Sequence, residues 1–184
     1  LYADRWLHSK PTYLTALDRC TPTDALSPAA AAGRWRVLQY RSAVLSGTAL
    51  VAGQETQAPP VRLPVSVRGW HAISIGVWRL KPWYFGLYDD AGPAQLLLRF
   101  SNDPTFSIMH LPTQPPPLDP IADWNKHTGG EDLSECFWRV ADLNGADIEF
   151  GQAQWLETTP DGEEHTRCAM ASVAYVKIVP LTEA

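Results

Sequence analysis

From Arg34 to Val179 the chain is a series of short apolar runs that mostly alternate in period two between polar or Gly/Pro breaks. The cleanest is "GWHAISIGVW". His71, Ile73, Ile75 and Val77 share one face; Trp70, Ala72, Ser74, Gly76 and Trp78 share the other. That period marks a half-buried strand. The isoleucine face is expected to be core, with His71 a hydrogen-bonded buried histidine. The small residues between Trp70 and Trp78 are expected to form a shallow trough. "QLLLRFS" repeats the pattern, with Leu96, Leu98 and Phe100 inward and Gln95, Leu97 and Arg99 outward. "RWRVLQYRS", "AVLSGTALVA", "SIMHL", "ECFWRVADL", "ADIEFGQAQW" and "CAMASVAYVKIV" read as further strands. Pro64 makes "VRLPVSV" an edge or bulged strand, because proline cannot donate to a ladder.

Turn chemistry separates these runs. Asn102 and Asp103 precede Pro104. Asn144-Gly145 is a hairpin signal, and Asp161-Gly162 is another turn. About nine or ten strands without an amphipathic helix predict an all-β fold, an antiparallel β-sandwich of jelly-roll-like form. A closed barrel is the alternative. Residues 1–33 read as an irregular segment packed on the sandwich, and 34–182 as one sandwich domain with a long loop at 112–134. The chain starts at Leu1 and ends in a linker-like "PLTEA", as expected of a piece excised from a longer protein.

Composition sharpens this. A length of 184 residues fits a single domain with a sizeable core. Sixteen prolines oppose long helices, and eight tryptophans suit either a core or a binding surface. A net charge of −5 without a Lys/Arg cluster argues against nucleic acid or an anionic membrane as partner. No apolar run approaches the roughly 18 residues of a spanning helix. Cys20, Cys136 and Cys168 lack metal-ligand spacing, and their odd number allows at most one intrachain disulfide.

Catalytic motifs are missing. There is no Gly-x-Ser-x-Gly elbow, phosphate-cradling glycine loop or His-Glu-x-x-His. His8, His71, His110, His127 and His165 are scattered, which argues against a metal enzyme. Asp89, Asp90, Asp103, Asp119, Asp123, Glu131 and Asp132 read as solvated turn acids. A carboxylate pair such as Asp89 and Asp123 keeps a glycosidase or lyase as an alternative. No cofactor is expected, although Asp89 and Asp90 offer the oxygen ligands of a structural calcium.

The strongest functional clue is "GVWRLKPWYFGLYDDAG". Sugar rings present apolar C–H faces and a rim of hydroxyls. A loop carrying Trp83, Tyr84 and Tyr88 beside Asp89 and Asp90 supplies platforms and hydrogen bonds, and Trp78 with Trp70 extends them along the strand. Trp124, flanked by Asn125, Lys126 and His127, is a second patch. Arg99, Arg139 and Lys177 lie on polar strand faces, where they would line the trough if their strands were neighbours. Arg99 is the candidate for an acidic sugar group. The competing reading packs these rings on the sheet or on an adjoining domain.

At "RGWHAISIGVW", "LLLRFSNDPTF", "ECFWRVADLNGADIEFGQ" and "VAYVKIVPLT" the chain resembles β-sandwich modules attached to bacterial polysaccharide-active enzymes. The resemblance covers roughly residues 34–182 and carries no diagnostic site motif. It implies a non-catalytic carbohydrate-binding or accessory role, a polysaccharide ligand, a neighbouring catalytic domain and a secreted or cell-envelope location. A structural module that packs on its catalytic domain is the third possibility.

Overall fold

The structure, a computed structural model, describes residues 12–15, 21–22, 35–41, 46–53, 57–78, 93–112 and 133–181. They form strands β1 (Thr12–Thr15), β2 (Thr21–Pro22), β3 (Arg36–Arg41), β4 (Ser46–Ala52), β5 (Val61–Leu63), β6 (Arg68–Trp78) and β7 (Gln95–Phe100). These are followed by β8 (Ser107–His110), β9 (Leu133–Asn144), β10 (Ile148–Gln152), β11 (Gln154–Thr158), β12 (Glu164–Cys168), β13 (Ala171–Val173) and β14 (Tyr175–Pro180). No helix occurs among the described residues, and every strand ladder is antiparallel. One large sheet has the order β1-β14-β6-β9 and the other β2-β5-β10-β7-β8. A small sheet, β13-β4-β3, and the β11-β12 hairpin complete the set. Omitting the two-residue β2, the order β1-β14-β6-β9 over β5-β10-β7-β8 is that of a jelly roll. The protein is an all-β antiparallel sandwich.

Alternation explains the core. Ile73, Ile75 and Val77 of β6 join Val176 and Ile178 of β14, and they share one apolar cluster with Leu63, Leu96, Leu98, Phe100, Ile148 and Phe150 of the other sheet. His71 is buried on this face, and its Nδ1–H donates to the Gly69 carbonyl at 2.7 Å. The opposite face of β6 is less of a trough than its small residues imply. The Tyr175 ring, across from Gly76 in register, occupies the space that a Cβ at Gly76 would need. Gly76→Ala is expected to cost about 1–3 kcal/mol by overpacking. Urea denaturation checks this, and Tyr175→Ala in the same chain should recover part of the loss.

Several sequence expectations change. Residues 1–33, read as irregular, contribute β1 and β2, which pair with β14 and β5. Runs of four and two residues are too short to show a period. The strand through Val61 stops at Leu63, immediately before Pro64. "ADIEFGQAQW" is two strands broken at Ala153, and "CAMASVAYVKIV" ends one strand at Cys168 and supplies two more broken at Ala174. Asn144-Gly145 is a turn but not a hairpin, since β9 pairs with β6 while β10 pairs with β5 and β7. Only Gly145 has positive φ (78°), whereas a two-residue type I′ hairpin needs it at both positions. The chain therefore passes from one sheet to the other. Asp161-Gly162 does close a hairpin, β11-β12, with Gly162 at φ 88°. Of the loop expected at 112–134, Leu133 and Ser134 belong to β9, and 113–132 lie outside the described residues.

Candidate functional site

The site begins with an irregularity in β9. From Arg68↔Asn144 to Ile73↔Arg139 the β6-β9 register is regular; it then slips between Ile73 and Ser74, leaving Trp138 as the extra residue. A bulge puts two successive side chains on the same side and bends the strand. Here Trp138 and Arg139 both reach Phe100, a β7 residue of the other large sheet. The Trp138 and Phe100 rings lie 5.0 Å apart at 46°. The Arg139 guanidinium carbon sits 4.1 Å from the Phe100 ring centre and 4.6 Å from that of Trp138.

Arg139 then ties the sheets together where the sandwich opens. Its Nη2 donates to Asp103 Oδ2 at 2.6 Å, and the same oxygen accepts the Phe100 N–H at 3.0 Å. Burial pushes the Asp103 carboxyl up. The Phe100 amide, the Arg139 hydrogen bond and charge, and the charge of Arg99 outweigh it and hold the group below 3.8. Asp103 is thus a fixed acceptor, whereas a general acid needs a raised pKa. Arg139 Nε is buried without a hydrogen-bond partner among the described residues.

Beside this latch lies a cleft of about 280 Å³, bounded by Trp70, Asn102, Asp103, Arg139, Val140 and Asp142, with Phe100, Leu143 and Ala146 behind them. Trp70 is 57 % exposed and pairs in register with Asp142. Opposed residues of an antiparallel pair project from the same face. Asp142 has no ion-pair partner among the described residues. The cleft therefore joins a flat apolar ring to carboxylate, amide and guanidinium groups. Phe137 (63 % exposed) and Val140 continue the apolar surface along β9.

The residues singled out in the sequence meet this site only in part. Trp83, Tyr84, Tyr88, Asp89, Asp90, Trp124, Asn125 and Lys126 lie outside the described residues, as do Asp119, Asp123, Glu131 and Asp132. Trp78 ends β6 opposite Leu133, and its side chain also lies outside the description. Arg99 does not border the cleft: its Nε donates to Glu149 Oε2 at 2.6 Å, with its guanidinium carbon 4.4 Å from the centre of the Phe106 ring. The cations Arg99, Arg139 and Lys177 do not share a face. β7 lies in the other sheet and the bulge turns Arg139 to the sandwich edge, so only Lys177, paired with Glu135 at 2.8 Å, stands opposite the small residues of β6.

Asn102 and Asp142 carried no functional signal in the sequence. The only available hint for Asp142 was its two-residue spacing from Val140, which puts both on one face of β9. Among the described residues no group of three or more His, Cys, Asp or Glu side chains is placed to hold a metal ion. Cys136 and Cys168 are free thiols. Burial pushes the Cys136 thiol up, and the Glu135 charge adds to it, so it is a poor nucleophile at neutral pH.

The chain was also compared with known proteins. It matches no protein-family model, and no curated protein matches it in sequence.

Proposed function

We propose that the chain is a non-catalytic carbohydrate-binding or accessory module of a secreted glycan-degrading enzyme, binding polysaccharide by ring stacking and polar contacts. The observation that carries this reading is Trp70, an exposed indole beside a cleft furnished by Asn102, Asp103, Arg139 and Asp142. An exposed tryptophan with hydrogen-bonding groups beside it suits a ligand that is apolar on one side and hydroxylated on its rim. Trp83, Tyr84 and Tyr88, which lie outside the described residues, would add platforms in the same role as Trp70.

Affinity electrophoresis through gels containing neutral, amine-bearing or uronic-acid polysaccharides tests the proposal. At least one glycan should retard the protein, without release of sugar product. Trp70→Ala should weaken retention about tenfold or more, as truncation of a central aromatic anchor does. No retardation by any glycan would sink the reading. Exposed Phe137 and Val140 would then favour a module that packs on its catalytic domain.

A further inference from the structure

We infer that the Trp70 cleft selects glycans bearing a free, protonated amine over uronic-acid glycans. This inference rests on the carbohydrate-binding reading and names the sugar class for that site. The first observation is charge. The cation of the cleft, Arg139, is already neutralised by Asp103 at 2.6 Å, while Asp142 has no ion-pair partner among the described residues. Arg68, two residues before Trp70, pairs in register with Asn144 and makes no ion pair with Asp142. Arg68 is not among the residues that line the cleft, so the uncompensated charge of the lining is negative.

The second observation is placement. Asp142 and Trp70 are cross-strand partners on one face. Cβ atoms of such partners are ~4.5–5.5 Å apart, so an ammonium group over the indole lies within reach of the carboxylate. The indole face attracts a cation, and the carboxylate accepts its N–H bonds. A uronate carboxylate at the same place would meet Asp142 across a short distance, and the one cation in the lining, Arg139, is already paired with Asp103. At about 280 Å³ the cleft is small for a ligand site, which suits recognition of a single substituted sugar ring over a long glycan surface.

Isothermal titration of the whole chain with a glucosamine hexasaccharide, its N-acetylated counterpart and a galacturonate oligomer tests this at mildly acidic pH, where the sugar amines are protonated. The amine form should bind about fivefold more tightly than the acetylated form, a preference that shrinks with added salt. Asp142→Asn should bring the ratio of the two affinities to about one. A wild-type ratio near one, a ratio unchanged in Asp142→Asn, or tighter binding of the galacturonate would overturn the amine preference while leaving the module reading intact. If none of the three sugars binds, the amine preference falls; the module reading falls with it only if neutral polysaccharides also fail to retard the protein.

Discussion

Gln152→Leu is expected to destabilise the protein by about 3–5 kcal/mol, the sum of several buried backbone groups left without partners. Gln152 is buried at the end of β10, yet its amide is fully used. Its Nε2 donates to the carbonyls of Gly53 at 2.6 Å and Ala169 at 2.7 Å, and its Oε1 accepts the Ala58 N–H at 2.7 Å. Two carbonyl partners fix which end of the amide is nitrogen, since a flipped group would set oxygen against oxygen. One side chain thus joins the residue after β4, the approach to β5 and the link from β12 to β13. Leucine fills a comparable volume but satisfies none of these groups. In urea melts the midpoint should fall sharply, because the loss is a large share of the ~5–15 kcal/mol typical of a domain. Gln152→Glu should fare no better near neutral pH, where a carboxylate would face two carbonyl oxygens. If Gln152→Leu melts like the parent, the amide contributes only packing.

The second large effect is expected at Glu149, with a pH signature of its own. Glu149 is 1 % exposed and lies across from Arg62 of β5 and Arg99 of β7. Arg62 Nη2 donates to Oε1 at 2.6 Å, and Arg99 Nε donates to Oε2 at 2.6 Å. Burial pushes the carboxyl up, but the hydrogen bonds and charges of the two arginines more than offset that and hold it below the usual 4.5. A folded-state pKa below the unfolded one means that the unfolded chain binds the proton more readily. The stabilisation is fully present above about pH 4.5 and is lost as pH falls through the lower folded value. Glu149→Gln directs an amide N–H₂ at one guanidinium and should cost about 2 kcal/mol at neutral pH, less than a fully buried pair because both arginines are partly solvated. Stability curves of the two proteins should converge below about pH 4.5. Curves that stay parallel into acid would show that the carboxylate contributes nothing specific.

Glu149 also shows where sequence reading stops. "ADIEFGQAQW" read as a strand, but nothing in it gave a reason to expect a buried acid between Ile148 and Phe150. The arginines that make this tolerable come from β5 and β7, and a local pattern does not state which strands are neighbours. The same holds for Gln152, whose three partners lie on segments scattered along the chain. Arg99 was legible as an outward cation on β7; its commitment to Glu149 was not.

By itself the sequence determined that the protein is all-β, that Ile73, Ile75 and Val77 face the core with His71, and that Leu96, Leu98 and Phe100 face it from another strand. It did so because a strand's side chains alternate with a period of two, which any run of residues displays locally. It also marked Trp70 as a ring on the outer face of its strand. Only the tertiary structure decided that Trp70 stands beside Asp142, that a single extra residue at Trp138 turns Arg139 across the open edge onto Asp103, and that Asn144-Gly145 changes sheets. Those outcomes depend on strand order and register. Both are set by contacts between distant parts of the chain, and one inserted residue is enough to reverse which face a side chain occupies.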